Sequence, residues 1–413
     1  MKLLILAGFC ALAYAPALTL PLLEDDYGNL AQSQVYGPAA GFSALMHDPV
    51  FRLRATSYWA MAPLWQAFHL APWVYHLASL SLHILNVWLV FGIAAAWPRM
   101  RPAAFWAAAF FAVQEGHQEA VMWFSAINEL LLFLFGGASL LCWLVAARRG
   151  GRWGWQVLSA ALFGLALLSK ESAVALLPLY LLTTPAGQWR RTLPRLTPHL
   201  ALAALALASI AGSHVVSFRF ADGSFSLHAP FWITWPRGMA RMLWLWGWLA
   251  AAGIAWFRKA DVRRSGWLAL AWMGISLVPY SFLTYSTQIP SRQTYLASAG
   301  LAFLVGLALS AAALRSRGLL AGAAAAMLLT NVGYLWVRKR AQFQARAEPT
   351  QQLIALARRT EGPIWVRCFP RNAYIAQEAV HMGAGRPPSI LIWSEDEARR
   401  RPPAAVFCYQ EKK

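Results

Sequence analysis

Three consecutive carboxylates, Glu24, Asp25 and Asp26, follow directly on the first apolar run, within the stretch PLLEDDYGNL (21–30). Two carboxylates side by side raise the pKa of one of them, and a carboxylate with a raised pKa can serve as a general base. A solvated loop that stops a membrane segment is the simpler interpretation of the same residues. The sequence therefore offers Asp25 and Asp26 either as a catalytic pair or as an ordinary polar loop.

Basic side chains are predicted on the same face as these carboxylates. Arg52 and Arg54 lie in the loop that follows, and Lys170 and Arg292 lie between later apolar runs. A carboxylate beside cations suits transfer from a phosphate-linked donor, because the base deprotonates a hydroxyl while the cations stabilise the departing phosphate. The alternatives are that Arg52 and Arg54 only meet lipid headgroups, and that Lys170 and Glu171 only pair with other groups that make their burial tolerable.

The composition predicts the setting of these residues. Hydrophobic residues make up 59% of the 413 residues, charged residues only 13%, and the mean hydropathy is +0.44. A soluble domain carries about 25% charged residues, so we expect an all-α polytopic membrane protein whose helices satisfy their own backbone hydrogen bonds. The net charge of +19 comes largely from short basic clusters between apolar runs. That distribution follows the positive-inside rule and argues against nucleic acid as a partner.

Eleven membrane spans are predicted in residues 1–337, and residues 23–72 form a long outer loop. The spans are 3–22, 73–97, 102–114, 128–147, 153–169, 171–184, 198–217, 238–257, 266–285, 294–314 and 318–337. Three of them are shorter than the roughly 20 residues of a full span, and the polar stretches QEGHQEA (114–120) and SKES (169–172) interrupt them. Basic clusters flank each interruption, which predicts two hairpins whose polar tips are recessed on the outer side.

The charge pattern also predicts the orientation. Most basic residues between spans fall on alternate connections, which places the N-terminus inside the cytoplasmic membrane and the C-terminal part outside. The cluster VRKR (337–340) is a local exception. The first run has features of a cleaved signal peptide, but its length favours a retained helix.

Residues 338–413 change character and predict a small α/β domain. GPIWVRCF, SILIW and AAVFCYQ have the composition of strands, RNAYIAQEAVHMG that of a helix, and SEDEARRR opens with a capping box. Cys368 and Cys408 fall in two of the strands. They form a disulfide if these strands are neighbours; two buried free thiols are the favoured alternative, since a third strand can intervene. Cys10 and Cys142 are predicted to be small core residues.

The sequence resembles the GT-C class of glycosyltransferases, multispan enzymes that use polyprenyl-phosphate-linked sugars. EDDYGNL (24–30) is similar to the acidic pair in their first outer loop, and WVYHLASLSLHILNVWLVF (73–91) to the second helix of one branch. HQEAVMWFSAINELL (117–131), LLSKESAVALLPLYLL (167–182) and SRQTYLAS (291–298) resemble further motifs of that branch in the same order. The resemblance covers roughly residues 1–310 and implies a GT-C-like membrane fold.

The resemblance also implies roles for particular residues. Asp25 matches the first acidic residue and would be the base, and Asp26 matches the second and would hold the acceptor or a metal. Arg52 and Arg54 are predicted to bind substrate together with residues that match positions lining the cavity of the family: His117, Glu119, Lys170, Glu171, Arg292 and Tyr295. For His117 the alternative is a cap on a short helix. Whether a divalent metal ion is a cofactor stays open.

We therefore predict a glycosyltransferase that moves a hexosyl or pentosyl group, with inversion, from a polyprenyl-phosphate donor to a hydroxyl acceptor. Its partners would be the lipid-linked donor and membrane lipid. A lipid or polysaccharide transporter or flippase is one alternative, although such proteins place charges near the middle of their helices. A non-catalytic envelope assembly protein is the other. The three are distinguished by whether Asp25 faces the groups Lys170 and Arg292.

Overall fold

Helices dominate the structure, a computed structural model that describes residues 1–48, 51–148, 153–211, 225–257, 260–284 and 286–410. The helices up to residue 334 are α1 (Lys2–Tyr14), α2 (Asp26–Tyr36), α3 (Phe42–His47), α4 (Ala55–Phe68), α5 (Pro72–Ala96), α6 (Ala104–Val113), α7 (Gln118–Met122), α8 (Ile127–Arg148), α9 (Trp153–Ser169), α10 (Leu176–Leu182), α11 (Trp189–Thr192), α12 (Thr197–Ala211), α13 (Phe231–Phe257), α14 (Ala260–Leu277), α15 (Tyr295–Arg315) and α16 (Arg317–Tyr334).

Within the described residues, each of the eleven predicted spans overlaps a helix. Within the described ranges, six helical segments are long and apolar enough to cross a membrane: Lys2–Thr19, Pro72–Ala96, Phe124–Arg148, Leu193–Ile210, Ser291–Arg315 and Arg317–Arg359. Three shorter apolar helices, Arg101–Val113, Trp153–Ser169 and Glu171–Leu182, are the ones predicted to be too short for a full span. The basic clusters at 149–152 and 258–259 and the end of the span 198–217 lie outside the described residues. The orientation of the termini stays a prediction.

Both predicted interruptions are present as breaks in the helices. Gln114 ends α6 in an extended conformation (φ −60°, ψ 121°), and short turns carry the chain to α8. Lys170 ends α9 in an extended conformation (φ −166°, ψ 137°) before a 3-10 turn at Glu171–Ala175. The charged residues of the two motifs therefore lie at helix ends rather than in the middle of helices.

The membrane helices pack through small residues and aromatic rings. A Cβ atom at Gly306 of α15 would come within 2.6 Å of the backbone nitrogen of Ala107 in α6, so a glycine lets these two helices approach closely. Buried rings of Phe111, Phe133 and Phe303 belong to the same apolar core. This close packing holds the helix ends that carry the charged residues at fixed positions.

The loop 23–72 folds into α2, α3 and α4. Tyr27, Leu30 and Tyr58 of these helices are buried in one cluster with Phe124 and with Ile354 of the C-terminal part. The aromatic side chains of Phe42 and Phe68 in the same loop are about half exposed, which suits a position at a membrane interface. The loop helices therefore lie between the membrane helices and the C-terminal part of the chain.

The last membrane helix continues into the C-terminal part. A π-helical turn at Leu335–Lys339 joins α16 to α17 (Arg340–Arg359), so residues 317–359 form one continuous helical segment. The predicted boundary after residue 337 lies inside this segment, and the α/β part begins only after Arg359. The apolar pattern ends at residue 337, but the helix does not, because a charged helix is stable once it leaves the membrane and packs on one face.

The predicted α/β elements are all present after α17. Three parallel strands, β1 (Ile364–Cys368), β2 (Leu391–Ile392) and β3 (Ala405–Cys408), form a sheet in the order β2-β1-β3. The connecting helices are α18 (Ala373–Glu378), which continues as a π-helical turn, and α19 (Glu395–Arg400). The Ser394 side chain accepts a hydrogen bond from the backbone N–H of Glu397, as its position in the predicted capping box requires.

The favoured prediction of two free thiols in this sheet is wrong. Because β1 lies in the centre, Cys368 and Cys408 are direct partners on neighbouring strands, with Cα atoms 4.5 Å apart, and they form a disulfide. The sequence does not specify the strand order, and the strand order decides this pairing. Cys10 and Cys142 are free and buried, as expected for core residues.

Candidate active site

Asp26 fixes the turn between the first membrane helix and α2. Its carboxylate is fully buried and accepts hydrogen bonds from the backbone N–H of Leu23 (2.7 Å) and from the N–H and hydroxyl of Ser125 (2.7 and 2.5 Å). Burial raises the pKa of Asp26 to about 7, although these hydrogen bonds act to lower it. Both oxygens are engaged, so the direct contact with acceptor or metal implied by the resemblance stays a prediction.

Glu24 is held in an unusual backbone conformation by two arginines. Its φ is +38°, in the left-handed region, which costs a residue with a side chain on the order of 1–2 kcal/mol. The carboxylate pairs with Arg346 at 2.8 Å and with Arg371 at 2.7 Å. Burial alone would raise the pKa of Glu24, but the hydrogen bonds and charges of the two arginines outweigh it and lower the pKa. Glu24 is therefore ionised and fully paired.

Asp25 lies between these two engaged carboxylates and differs from both. It is partly buried, and its carboxylate accepts no hydrogen bond from any residue in the described part of the chain. Burial, followed by the charge of Glu24, raises the pKa of Asp25. The charges of Arg292, Arg346 and Arg371 act in the opposite direction. Asp25 is thus a carboxylate with a raised pKa that is free to accept a proton.

Two of the arginines whose charges act on Asp25 contact the same indole ring and the same carboxylate. The guanidinium groups of Arg292 and Arg346 lie 4.9 and 4.8 Å from the ring centre of Trp123. Glu119 lies 3.8 Å from the Arg292 guanidinium and 3.9 Å from that of Arg346, and accepts the backbone N–H of Arg292 at 3.1 Å. This arrangement orients both cations and leaves them about one quarter to one third exposed.

A second basic group lies deeper, at the break after α9. Arg54 pairs with Glu171 at 2.7 Å, and Lys170 forms a buried ion pair with Glu129. Tyr280 donates a hydrogen bond to the other oxygen of Glu129 at 3.0 Å. The pairing of Lys170 and Glu171 with groups of opposite charge agrees with the alternative in which a partner makes their burial tolerable.

The ion pair with Glu171 leaves one hydrogen-bond donor of Arg54 without a partner among the described residues. Arg54 is 9% exposed, yet its Nη2 atom is buried and has no hydrogen-bond partner among the residues that the structure describes. The charges of Arg54 and Arg292 are both within electrostatic range of Lys170, and that of Arg292 also reaches Asp25. The free carboxylate and the deeper cations therefore belong to one electrostatic neighbourhood.

Arg52 lies apart from this group. Its guanidinium donates a hydrogen bond to the carbonyl of Ser209 in α12. The structure thus gives Arg52 a contact with a membrane helix, whereas Arg54 two residues later turns toward Glu171. Substrate binding by Arg52 stays a prediction.

His117 and Tyr295 lie in a packed interior cluster instead. Both are almost completely buried; His117 Nε2 is 2.7 Å from the hydroxyl of Ser298, and the Tyr295 hydroxyl is 2.7 Å from Nδ1 of His83. The His117 and Tyr295 rings contact each other, with centres 4.6 Å apart. The structure does not bring these two residues to Asp25, and their substrate contacts stay a prediction.

The residues around Asp25 do not fit a metal ion. Within the described ranges, no three His, Cys, Asp or Glu side chains gather as metal ligands do. Asp26 and Glu24 are committed to hydrogen bonds and ion pairs, which leaves one carboxylate. No step of the chemistry below is assigned to a metal.

Sequence reasoning missed four residues of this site. Glu24 belongs to the acidic run but received no role, and Arg346 and Arg371 were placed in a separate domain. Trp123 lies inside the quoted motif 117–131 without having been singled out. The available signals were a third carboxylate beside a catalytic pair and basic residues in a region predicted on the same side of the membrane.

Comparisons with known proteins agree with this fold. A family model described as dolichyl-phosphate-mannose-protein mannosyltransferase matches residues 56–214. The structure is similar to that of ArnT from Cupriavidus metallidurans bound to undecaprenyl phosphate, with a TM-score of 0.55, 16% identity, and 98% of this chain and 88% of that chain covered. In the apo state of the same protein the TM-score is 0.58, with the same identity and coverage.

A second similar structure is the Archaeoglobus fulgidus oligosaccharyltransferase in complex with zinc and sulfate. The TM-score is 0.55 at 14% identity, and the match covers 94% of this chain and 62% of that chain. No curated protein sequence matches. At these identities the likeness concerns the fold, and the GT-C-like membrane fold predicted from the motifs is confirmed.

Proposed function

We propose that the protein is a membrane glycosyltransferase. It transfers a hexosyl or pentosyl group from a polyprenyl-phosphate donor to a hydroxyl acceptor at the outer face of the cytoplasmic membrane. The matching family model and the likeness to the structure of ArnT bound to undecaprenyl phosphate support the donor class. The observation that carries the proposal is the Asp25 carboxylate, which is free of hydrogen bonds within the described residues and lies within electrostatic range of Arg292, Arg346 and Arg371.

Asp25 is the general base of this reaction. Its carboxylate removes the proton of the acceptor hydroxyl as the oxygen attacks the anomeric carbon of the donor sugar. The bond between that carbon and the phosphate oxygen breaks, and its electron pair leaves with the phosphate. Attack opposite the leaving group inverts the anomeric configuration. The pKa raised by burial suits this role, because a stronger base accepts the proton of the acceptor hydroxyl more readily.

The cations stabilise the phosphate that leaves. Arg54, Lys170 and Arg292 form the basic side of the site, and Arg54 has a buried N–H group that no described residue accepts. A phosphate oxygen would satisfy it. Charge-assisted hydrogen bonds of this kind are stronger than neutral ones, and they strengthen as negative charge develops on the leaving group.

Two alternatives are less well supported. A transporter or flippase usually has charges near the centre of its helices, whereas Glu129 is in the first turn of α8 and Lys170 is at the break after α9. A non-catalytic assembly protein has no need for an unpaired carboxylate beside two arginines that are held over Trp123. The geometry favours an enzyme over both.

Loss of the gene tests the function in the cell. Mass spectrometry of envelope glycans, glycolipids and glycoproteins from cells with and without it should reveal a hexose or pentose that only the intact strain attaches. A plasmid copy with Asp25→Asn should fail to restore that sugar, while a copy with Asp48→Asn, the same change in the same loop, should restore it. Identical envelope sugars in all strains would contradict the proposal.

A further inference from the structure

We propose that the C-terminal part of the chain, from Arg340 to Cys408, is a positioning element that holds the turn Leu22–Tyr27 so that Asp25 points into the site. This inference rests on the proposed function. It assigns Arg346, Gln351 and Arg371 as positioning residues, although they are more than 300 positions away in the sequence. They act on the neighbours of Asp25 and are not themselves catalytic.

The first contact is the double ion pair on Glu24. Arg346 of α17 and Arg371, just before α18, hold both oxygens of this carboxylate. Glu24 has a positive φ, a conformation that a residue with a side chain keeps only when its surroundings enforce it. The two arginines supply that constraint. Because Asp25 is the next residue, the direction of its side chain depends on the backbone of Glu24.

Further contacts hold the ends of the same turn. The side-chain amide of Gln351 donates hydrogen bonds to the carbonyl of Leu22 (3.2 Å) and to the hydroxyl of Tyr27 (2.8 Å). On the far side, a Cβ atom at Gly28 would lie 2.9 Å from the ring of Tyr374, so glycine permits α18 to lie directly on α2. The C-terminal part therefore contacts residues before and after Asp25 in the sequence and leaves the Asp25 carboxylate free.

The disulfide Cys368–Cys408 helps to hold Arg371 in place. Cys368 ends β1 three residues before Arg371, and its bond to Cys408 fixes the end of the strand from which Arg371 emerges. The sheet, the disulfide and α17 thus form a rigid frame for the arginines. A separate domain with an independent role would not need contacts with several residues of the turn Leu22–Tyr27.

The experiment compares Arg371→Gln, Glu24→Gln and their combination with the wild type in the full-length, detergent-solubilised protein. Arg399→Gln is the matched control, because Arg399 makes an exposed ion pair with Glu395 in the same part of the chain. Hydrogen exchange of peptides that cover residues 22–27 should be faster in both single variants and unchanged in the control. This measurement needs no substrate, so it tests whether the C-terminal part holds the turn Leu22–Tyr27 even if the proposed function fails.

Activity gives the second measurement, with a panel of undecaprenyl-phosphate sugars as donors. The kcat should fall on the order of 10- to 100-fold in each single variant, as expected for a misplaced base, while the KM for the donor changes less than about threefold. The effects should not multiply in the double variant, because both changes break one contact.

The pH profile distinguishes positioning from general loss of structure. The charged and titratable groups near Asp25 are Glu24 and Asp26 beside it, Arg292 before α15, Arg346 from α17, and Arg371 and Tyr374 around the start of α18. Arg371→Gln removes a cation, so the acid limb of kcat/KM should move to higher pH. Glu24→Gln removes an anion, so it should move to lower pH.

Unchanged exchange at residues 22–27 in both single variants would overturn the positioning role, as would multiplicative effects on kcat. Glu24→Gln conserves volume, so it keeps the test valid if Arg371→Gln is not recovered from membranes. A wild-type protein that transfers no sugar would contradict the proposed function instead. The hydrogen-exchange result alone would then test whether the C-terminal part holds the turn Leu22–Tyr27.

Discussion

Variants of the buried ion pair Lys170–Glu129 test whether Lys170 binds the donor phosphate or only neutralises Glu129. The two side chains are only 7% and 2% exposed. Lys170→Met leaves the Glu129 carboxylate buried with a single hydrogen bond from Tyr280. Removing one partner of a buried ion pair costs roughly 3–5 kcal/mol of the free energy of unfolding. The double variant Lys170→Met/Glu129→Gln buries no charge at these two positions and should recover most of that loss.

The double variant then isolates the effect on the donor. It should fold but lack one charge-assisted contact to the phosphate, which costs roughly 1.5–3 kcal/mol. That loss corresponds to an increase in the donor KM of about 10- to 150-fold. Lys339→Met is the matched control, because Lys339 lies over the ring of Tyr334 away from the site, and its KM should equal that of the wild type.

Two measurements are needed. Thermal unfolding in detergent gives the stabilities of the wild type, both single variants and the double variant, and donor titration in proteoliposomes gives KM. A double variant that is stable and titrates the donor like the wild type would show that Lys170 serves only to neutralise Glu129. The reasoning about the phosphate would then be refuted for this residue.

Three further predictions concern other parts of the chain. Burial raises the pKa of Asp26 to about 7 from an ordinary 3.8. The stability that protonated Asp26 contributes is therefore complete below about pH 4 and is lost as the pH rises through 7. Across this interval the melting temperature of Asp26→Asn should rise relative to that of the wild type. The disulfide closes a loop of 40 residues, so reductant should lower stability by about 4 kcal/mol, and thiol labelling of the denatured, unreduced protein should modify only Cys10 and Cys142; labelling of all four cysteines would contradict it. A reporter fused to the C-terminus should be active only outside the cytoplasm, as eleven spans with an inside N-terminus require.

Local patterns predicted the helices and their breaks well. The polar stretches around Gln114 and Lys170 end helices because charged side chains are tolerated in a membrane protein mainly at recessed helix ends. The elements of the α/β part were also predicted in the right order, since strand composition and the cap at Ser394 are local signals.

Contacts between distant segments were not predictable in the same way. Glu24 pairs with arginines 322 and 347 positions away, and nothing in the sequence near Glu24 indicates which cations it meets. The disulfide depends on β1 lying between β2 and β3, and this order is a property of the tertiary structure. The sequence also does not indicate that Lys170 pairs with Glu129, because the two residues lie in different hairpins.

Release of polyprenyl phosphate tests the central claim most directly. Wild-type protein, Asp25→Asn and Asp48→Asn are reconstituted in liposomes with a panel of undecaprenyl-phosphate sugars and envelope extract as the source of acceptors. We expect the wild type and Asp48→Asn to release undecaprenyl phosphate and to form a glycosylated product at similar rates. Asp25→Asn, although folded, should be slower by roughly 10²- to 10⁴-fold, the usual contribution of a general base. Equal rates for Asp25→Asn and the wild type would contradict the account.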